Sequence, residues 1–285
     1  MGCFNGWSWK LAWIFGSDMR NFVFVAEGAH DVSFLGKLLV RNGFAKIENF
    51  EQIPPEWKIL YPKKFPWDGE IIQRVARFPD LFSNNQIVVG LLNSGGDSKL
   101  ITSLRTALDA IGPRNVELVL IFADADMSHA EARFTSLRTG LTALNAQAVH
   151  EGVPEFPIAV PSKIGTIDGA NPAIGVFVFP DNVSMGSLED VLYACATQTH
   201  PEVAERARDL VTQLDADLAA KHQSLKNLRA GLGKAKAKMG IVANILKPGT
   251  SLAVAVEQQS IIPEADQAPD LVKDINKFLV QALQR

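Results

Sequence analysis

Between Asn115 and Met127 the chain reads NVELVLIFADADM, an apolar run of strand length broken only by Glu117. Such a run has no solvent face of its own, so it predicts an interior strand of a parallel sheet covered on both sides. It ends in two aspartates one residue apart, Asp124 and Asp126. Ligands of open α/β sheets bind beyond the carboxyl edge of the strands, where such a pair is placed to meet a metal ion or a phosphate. Alternate residues of an extended segment share a side, so both carboxylates are expected at one site while Ala125 faces elsewhere.

Three other stretches repeat the unit of strand, turn and helix. Residues 21–26 (NFVFVA) run into Glu27-Gly28-Ala29-His30-Asp31 and then a segment with Val32, Phe34, Leu35, Leu38 and Leu39 at helical spacing, stopped by Asn42-Gly43. Gly28 permits a tight turn that brings Glu27 to the sheet edge, and Asp31 is either a helix cap or a second acid of the site. Residues 86–92 (QIVVGLL) lead through Asn93-Ser94-Gly95-Gly96-Asp97-Ser98-Lys99 to an amphipathic helix ending near Ile111. Gly95, Gly96 and Lys99 are candidate phosphate contacts through backbone N–H groups and the helix start, although the spacing is not that of a P-loop and a plain tight connection is the competing reading. Residues 174–179 (IGVFVF) lead to Gly186-Ser187-Leu188-Glu189-Asp190 and a further helix. Four such units predict an α/β fold with a parallel sheet and right-handed crossovers.

The prolines at 54, 55, 62, 66 and 79, and again at 154, 157, 161 and 172, mark irregular insertions at about 44–85 and 146–173 of a core expected to span 19–198. Residues 199–285 read as a mainly helical second layer. Within it, 218–256 carry seven Lys and Arg and no Asp or Glu, which leaves 21 basic against 31 acidic residues, or −10, for the rest. That segment is either a solvated helix face or a surface for an acidic polymer such as nucleic acid. Cys3 and Cys195 form no pairing or zinc pattern, so a reducing, cytoplasmic setting is expected. Residues 7–15 (WSWKLAWIF) are too short to span a bilayer and lack the flanks of a leader, so no stable membrane association is expected; residues 1–18 read either as a disordered or misassigned start or as a membrane-touching or packing segment. The oligomeric state is left open.

Acids delivered by successive sheet edges suit Mg²⁺ or Mn²⁺, hard cations that take one or two carboxylates together with water and phosphate oxygens. The set FVAEGAHD, IFADAD and FPDNVSMGSLEDVL resembles the Toprim domain of bacterial primases, topoisomerases and the overcoming-lysogenization-defect nucleases, and is most similar to the nuclease branch and small bacterial Toprim-like proteins. The resemblance covers about 20–195 and implies a Mg²⁺- or Mn²⁺-dependent phosphodiester-cleaving site of Glu27, Asp124 and Asp126, with Asp31 and Glu189 as added ligands and a later lysine, among Lys234, Lys236 and Lys238, as the catalytic cation. Nucleic acid is the implied partner. Only Tyr61 and Tyr193 are tyrosines, which argues against a topoisomerase. Two rivals remain at this point: a non-catalytic Toprim-like module that binds metal, nucleotide or nucleic acid, and a haloacid-dehalogenase-like phosphatase, to whose Asp-x-Asp motif LIFADADMS is similar, with Asp124 as nucleophile and Asp126 as general acid.

Overall fold

The computed structural model describes residues 19–61, 78–218 and 221–285; the expected extension 1–18 and part of the first irregular stretch lie outside the described residues. In chain order the elements are β1 (Arg20–Ala26), α1 (Ala29–Arg41), β2 (Ala45–Lys46), β3 (Asp80–Ser83), β4 (Ile87–Asn93), α2 (Leu100–Ile111), β5 (Val116–Asp124), α3 (Ala130–His150), β6 (Ile167–Asp168), β7 (Ala173–Phe179) and α4 (Leu188–Thr199). They are followed by α5 (Pro201–Asp217), the short α6 (Lys226–Arg229), α7 (Gly233–Leu246), α8 (Leu252–Gln258) and α9 (Asp270–Leu283).

The strands form one sheet in the order β2-β3-β4-β1-β5-β7-β6. Its centre, β4-β1-β5-β7, is parallel throughout, and β5 is interior as its apolar run requires. The wholly parallel sheet expected from the sequence is corrected at both margins. β3 runs antiparallel to β4, β2 antiparallel to β3, and β6 antiparallel to β7. These margin strands are two to four residues long and lie in the proline-rich stretches, which therefore extend the sheet rather than only covering it.

Period-two alternation divides the central strands between two cores. Phe22, Phe24, Val89, Leu91, Leu118, Leu120, Phe122, Phe177 and Phe179 face α1, α4 and the C-terminal helices. Val23, Val25, Val88, Val119, Ile121, Val176 and Val178 face α2, α3 and Trp57. The C-terminal helices belong to the first of these cores. Phe278 of α9 meets Phe122 edge-on at 6.2 Å and Phe177 at 5.5 Å, pairs worth about 0.5–1.5 kcal/mol each beyond area burial. No helix among the described residues is long and apolar enough to cross a membrane.

Candidate active site

The parallel strands β1 and β5 are neighbours, so Glu27 and Asp124 leave the sheet side by side at its carboxyl edge. Glu27 Oε1 accepts a hydrogen bond from the Asp124 backbone N–H at 3.0 Å. Asp124, 6% exposed, uses Oδ1 to accept the Leu188 N–H at 2.9 Å, which ties the end of β5 to the start of α4. That helix carries Glu189, buried to 2% in its first turn; Asp190 beside it only caps the helix through the Ser187 N–H. Asp31 does both jobs left open by the sequence. It caps α1 by accepting the Gly28 N–H at 2.6 Å, and it is buried among these acids.

The charges are strongly interdependent. Burial first, then the like charges of Asp31, Glu27 and Glu189, push the Asp124 carboxyl well above its usual range. Burial likewise raises Glu27 to about 7, against the opposing Asp124 N–H and the Arg133 guanidinium. Burial raises Asp31 too, with His30 and the Gly28 N–H working the other way. Glu189 departs from this pattern: burial is outweighed by its hydrogen bond to His30, 3.4 Å from Oε1, and its carboxyl is held near 2. For His30 burial is overcome by Glu189, Asp31 and Asp124, which lift it to about 9.

Glu27, Asp31, Asp124 and Glu189 are thus brought together, and the alternation predicted to align Asp126 with Asp124 needs correction. Asp126 is exposed, with a left-handed φ of 56°, so the extended alternation expected to align it with Asp124 ends at Ala125. Its backbone instead pairs with Gly186 through two 2.9 Å bonds, which places it at the mouth beside the loop before α4. The Gly95 and Gly96 N–H groups do not face an anion. Both donate to the Glu27 carbonyl, at 3.0 and 2.9 Å, so the turn braces the acid-bearing loop, while Lys99 is exposed at the head of α2. The lysines of α7 are partly engaged elsewhere: Lys234 pairs with Asp215 at 2.6 Å and the Lys238 ammonium sits 4.5 Å over the Tyr193 ring, whereas Lys236 is exposed.

Two participants were not singled out from the sequence. His30 stands within the EGAHD turn itself, and Arg133, in the first turn of α3, bonds Glu27 and Asp97. Their contacts span 159 and 106 positions of sequence, so nothing local marks them.

Whether a divalent ion fits can be judged from the donors. Glu189 Oε2 is buried with no hydrogen-bond partner, the acids are hard oxygen donors, and Glu27 and Asp124 are driven toward protonation by burial and by the acids around them. Among the described residues no group of three or more His, Cys, Asp or Glu is arranged to enclose an ion. That excludes a closed protein cage, not the manner of Mg²⁺, which takes one or two carboxylates and completes its shell with water and phosphate. The site fits such an ion in that open mode.

The fold is similar to the crystal structure of hypothetical protein PH0156 from Pyrococcus horikoshii OT3, with a TM-score of 0.52, 17% identity, and 93% of this chain and 95% of that one covered. At this identity the likeness is one of fold. No curated protein matches the chain. A family described as "protein of unknown function (DUF3226)" matches residues 21–282, which takes in both sheet margins, every clustered acid and the C-terminal helices, and the chain belongs to that family.

Proposed function

We propose that the protein is a Mg²⁺- or Mn²⁺-dependent phosphodiesterase of the Toprim type acting on nucleic acid. The observation that carries this reading is the burial of four carboxylates, Glu27, Asp31, Asp124 and Glu189, around the carboxyl edge of two adjacent parallel strands, where burial raises Glu27 and Asp124 and the neighbouring acids raise Asp124 further. Burying like charges costs free energy that a bound cation recovers. Carboxylates so strongly perturbed by burial and by specific charge partners are functional-site candidates.

Glu27 and Asp124 would hold the ion, with Asp126 at the mouth and the unpartnered oxygen of Glu189 behind it. When bound, the ion supplies Lewis-acid polarisation of the phosphate and lowers the pKa of a coordinated water. The chain's own groups do the rest. The Gly95-Gly96 turn fixes the Glu27 backbone, the Leu188 N–H fixes Asp124, and protonated His30 holds Glu189 in place. Lys99 and Lys236, both exposed, are among the cations available to a polyanion's phosphates. A phosphatase mechanism with Asp124 as nucleophile is less well supported, because that carboxylate is buried and already bonded to Leu188.

Single- and double-stranded DNA and RNA incubated with Mn²⁺ test the proposal. Cleavage by the native protein that is lost in Asp124→Asn supports it. Saturable Mn²⁺ binding without cleavage of any of the four would assign the site to a non-catalytic metal-binding module.

A further inference from the structure

Arg133 makes a poor ion pair for so enclosed a group. Its side chain is 12% exposed, and one nitrogen, Nη2, serves two carboxylates, lying 3.1 Å from Glu27 Oε1 and also bonding Asp97 Oδ1. Its Nε is buried without a partner. An arginine built as a permanent clamp presents two nitrogens to two oxygens of one carboxylate. Here the fork is unused, the desolvation of Nε is unrecovered, and Glu27 Oε1 is already accepting the Asp124 N–H. A bond made this way is exchanged at little cost.

We infer that Arg133 is the resident counter-cation of the metal-free cleft, occupying Glu27 until a divalent ion displaces it. The inference rests on the metal-dependent reading above and adds a positioning residue that acts through Glu27. Asp97 gives the arrangement its second state. It is exposed on the turn after β4, whose Gly95 and Gly96 N–H groups hold the Glu27 carbonyl, so a guanidinium released from Glu27 keeps an anchor beside the site. Arg133 then sets the ion concentration at which the cleft fills.

Direction of change separates this role from a structural one. Loss of a clamp between α3 and the β1 turn would loosen the ligands and weaken metal binding, whereas loss of a competitor strengthens it. Mn²⁺ binding to the full chain, followed by calorimetry at about 0.15 M salt, where distant charges are screened beyond about 8 Å, is the readout. Arg133→Gln is expected to lower the Mn²⁺ dissociation constant by about three- to fivefold, the upper end of the range of a partly exposed ion pair. Arg138→Gln, farther along α3, is expected to leave it within about twofold. Asp97→Asn returns the guanidinium wholly to Glu27 and is expected to weaken binding, by more in the native background than in Arg133→Gln. Weaker or unchanged binding in Arg133→Gln, or an equal effect of Asp97→Asn in both backgrounds, overturns the inference while leaving the metal reading intact. Absence of Mn²⁺ binding by the native protein removes both.

Discussion

At the scale of single residues, the clustered acids tie the stability of the fold to pH. Glu27 gains a proton more readily when folded than when unfolded, so the folded state binds more protons between about 4.5 and 7, and stability falls as pH rises through that window. His30 is raised to about 9, so its pairing with Glu189 stabilises fully below its ordinary value near 6.5 and is lost as pH climbs to 9. Both act in the same direction between pH 5 and 8. The metal-free protein should therefore melt at a lower temperature at pH 8 than at pH 5, and Mn²⁺ should raise the midpoint more at pH 8; an equal metal effect at both would mean that the ion does not relieve this repulsion. Asp124→Asn carries the argument further. It keeps an oxygen for the Leu188 N–H while removing a carboxyl that folding forces to take up a proton, so it should stabilise the metal-free fold by about 1–3 kcal/mol at pH 8 and reduce cleavage at least about a hundredfold. Urea denaturation and a nuclease assay on the same preparation check the two halves.

At the scale of elements, the sequence is legible where a segment's environment is written into its own residues. The four central strands bury both faces and so read as continuous apolar runs, and α1, α2 and α9 show their buried stripes at helical spacing. The margin strands escape notice because two to four residues among prolines carry no period, and their pairing is decided by the neighbouring strand. The aim of the Gly95-Gly96 turn, left open between a phosphate contact and a plain tight connection, is hidden for a related reason: its N–H groups point at Glu27, 68 positions away in the chain for Gly95, and local sequence does not say where a turn points. Gly90 shows the same dependence. A β-carbon there would stand 2.0 Å from Trp57 Cζ3, and Trp57 is fully buried with its indole N–H donated to Asn21 Oδ1 at 2.8 Å. Gly90→Ala must displace the ring or spread β4 from it, costing at least about 1–3 kcal/mol. A urea midpoint unchanged by this substitution would show that Trp57 can move aside freely.

At the scale of the whole molecule, the chain's charge is distributed unevenly between the cleft and the layer of helices that covers one face of the sheet. A polyanion approaching clustered carboxylates is repelled unless a cation neutralises them and positive side chains hold its phosphates nearby. The basic segment does come back toward the site, since a side chain on Gly231, just before α7, would lie 3.9 Å from Met127, the residue after Asp126. Its lysines are not equivalent, however. Lys234 is paired with Asp215, a carboxylate that also bonds Arg229, and Lys238 lies on Tyr193 of α4. Lys236 is exposed on the same helix and is the one expected to release counterions on binding. Binding of a labelled oligonucleotide, measured against salt with Asp124→Asn in the background to prevent cleavage, should therefore lose about 0.7–0.9 of its logarithmic salt slope in Lys236→Ala and much less in Lys234→Ala. Equal slopes in both variants and the parent would make α7 a solvated surface and move the search for the phosphate contacts to Lys99, at the head of α2.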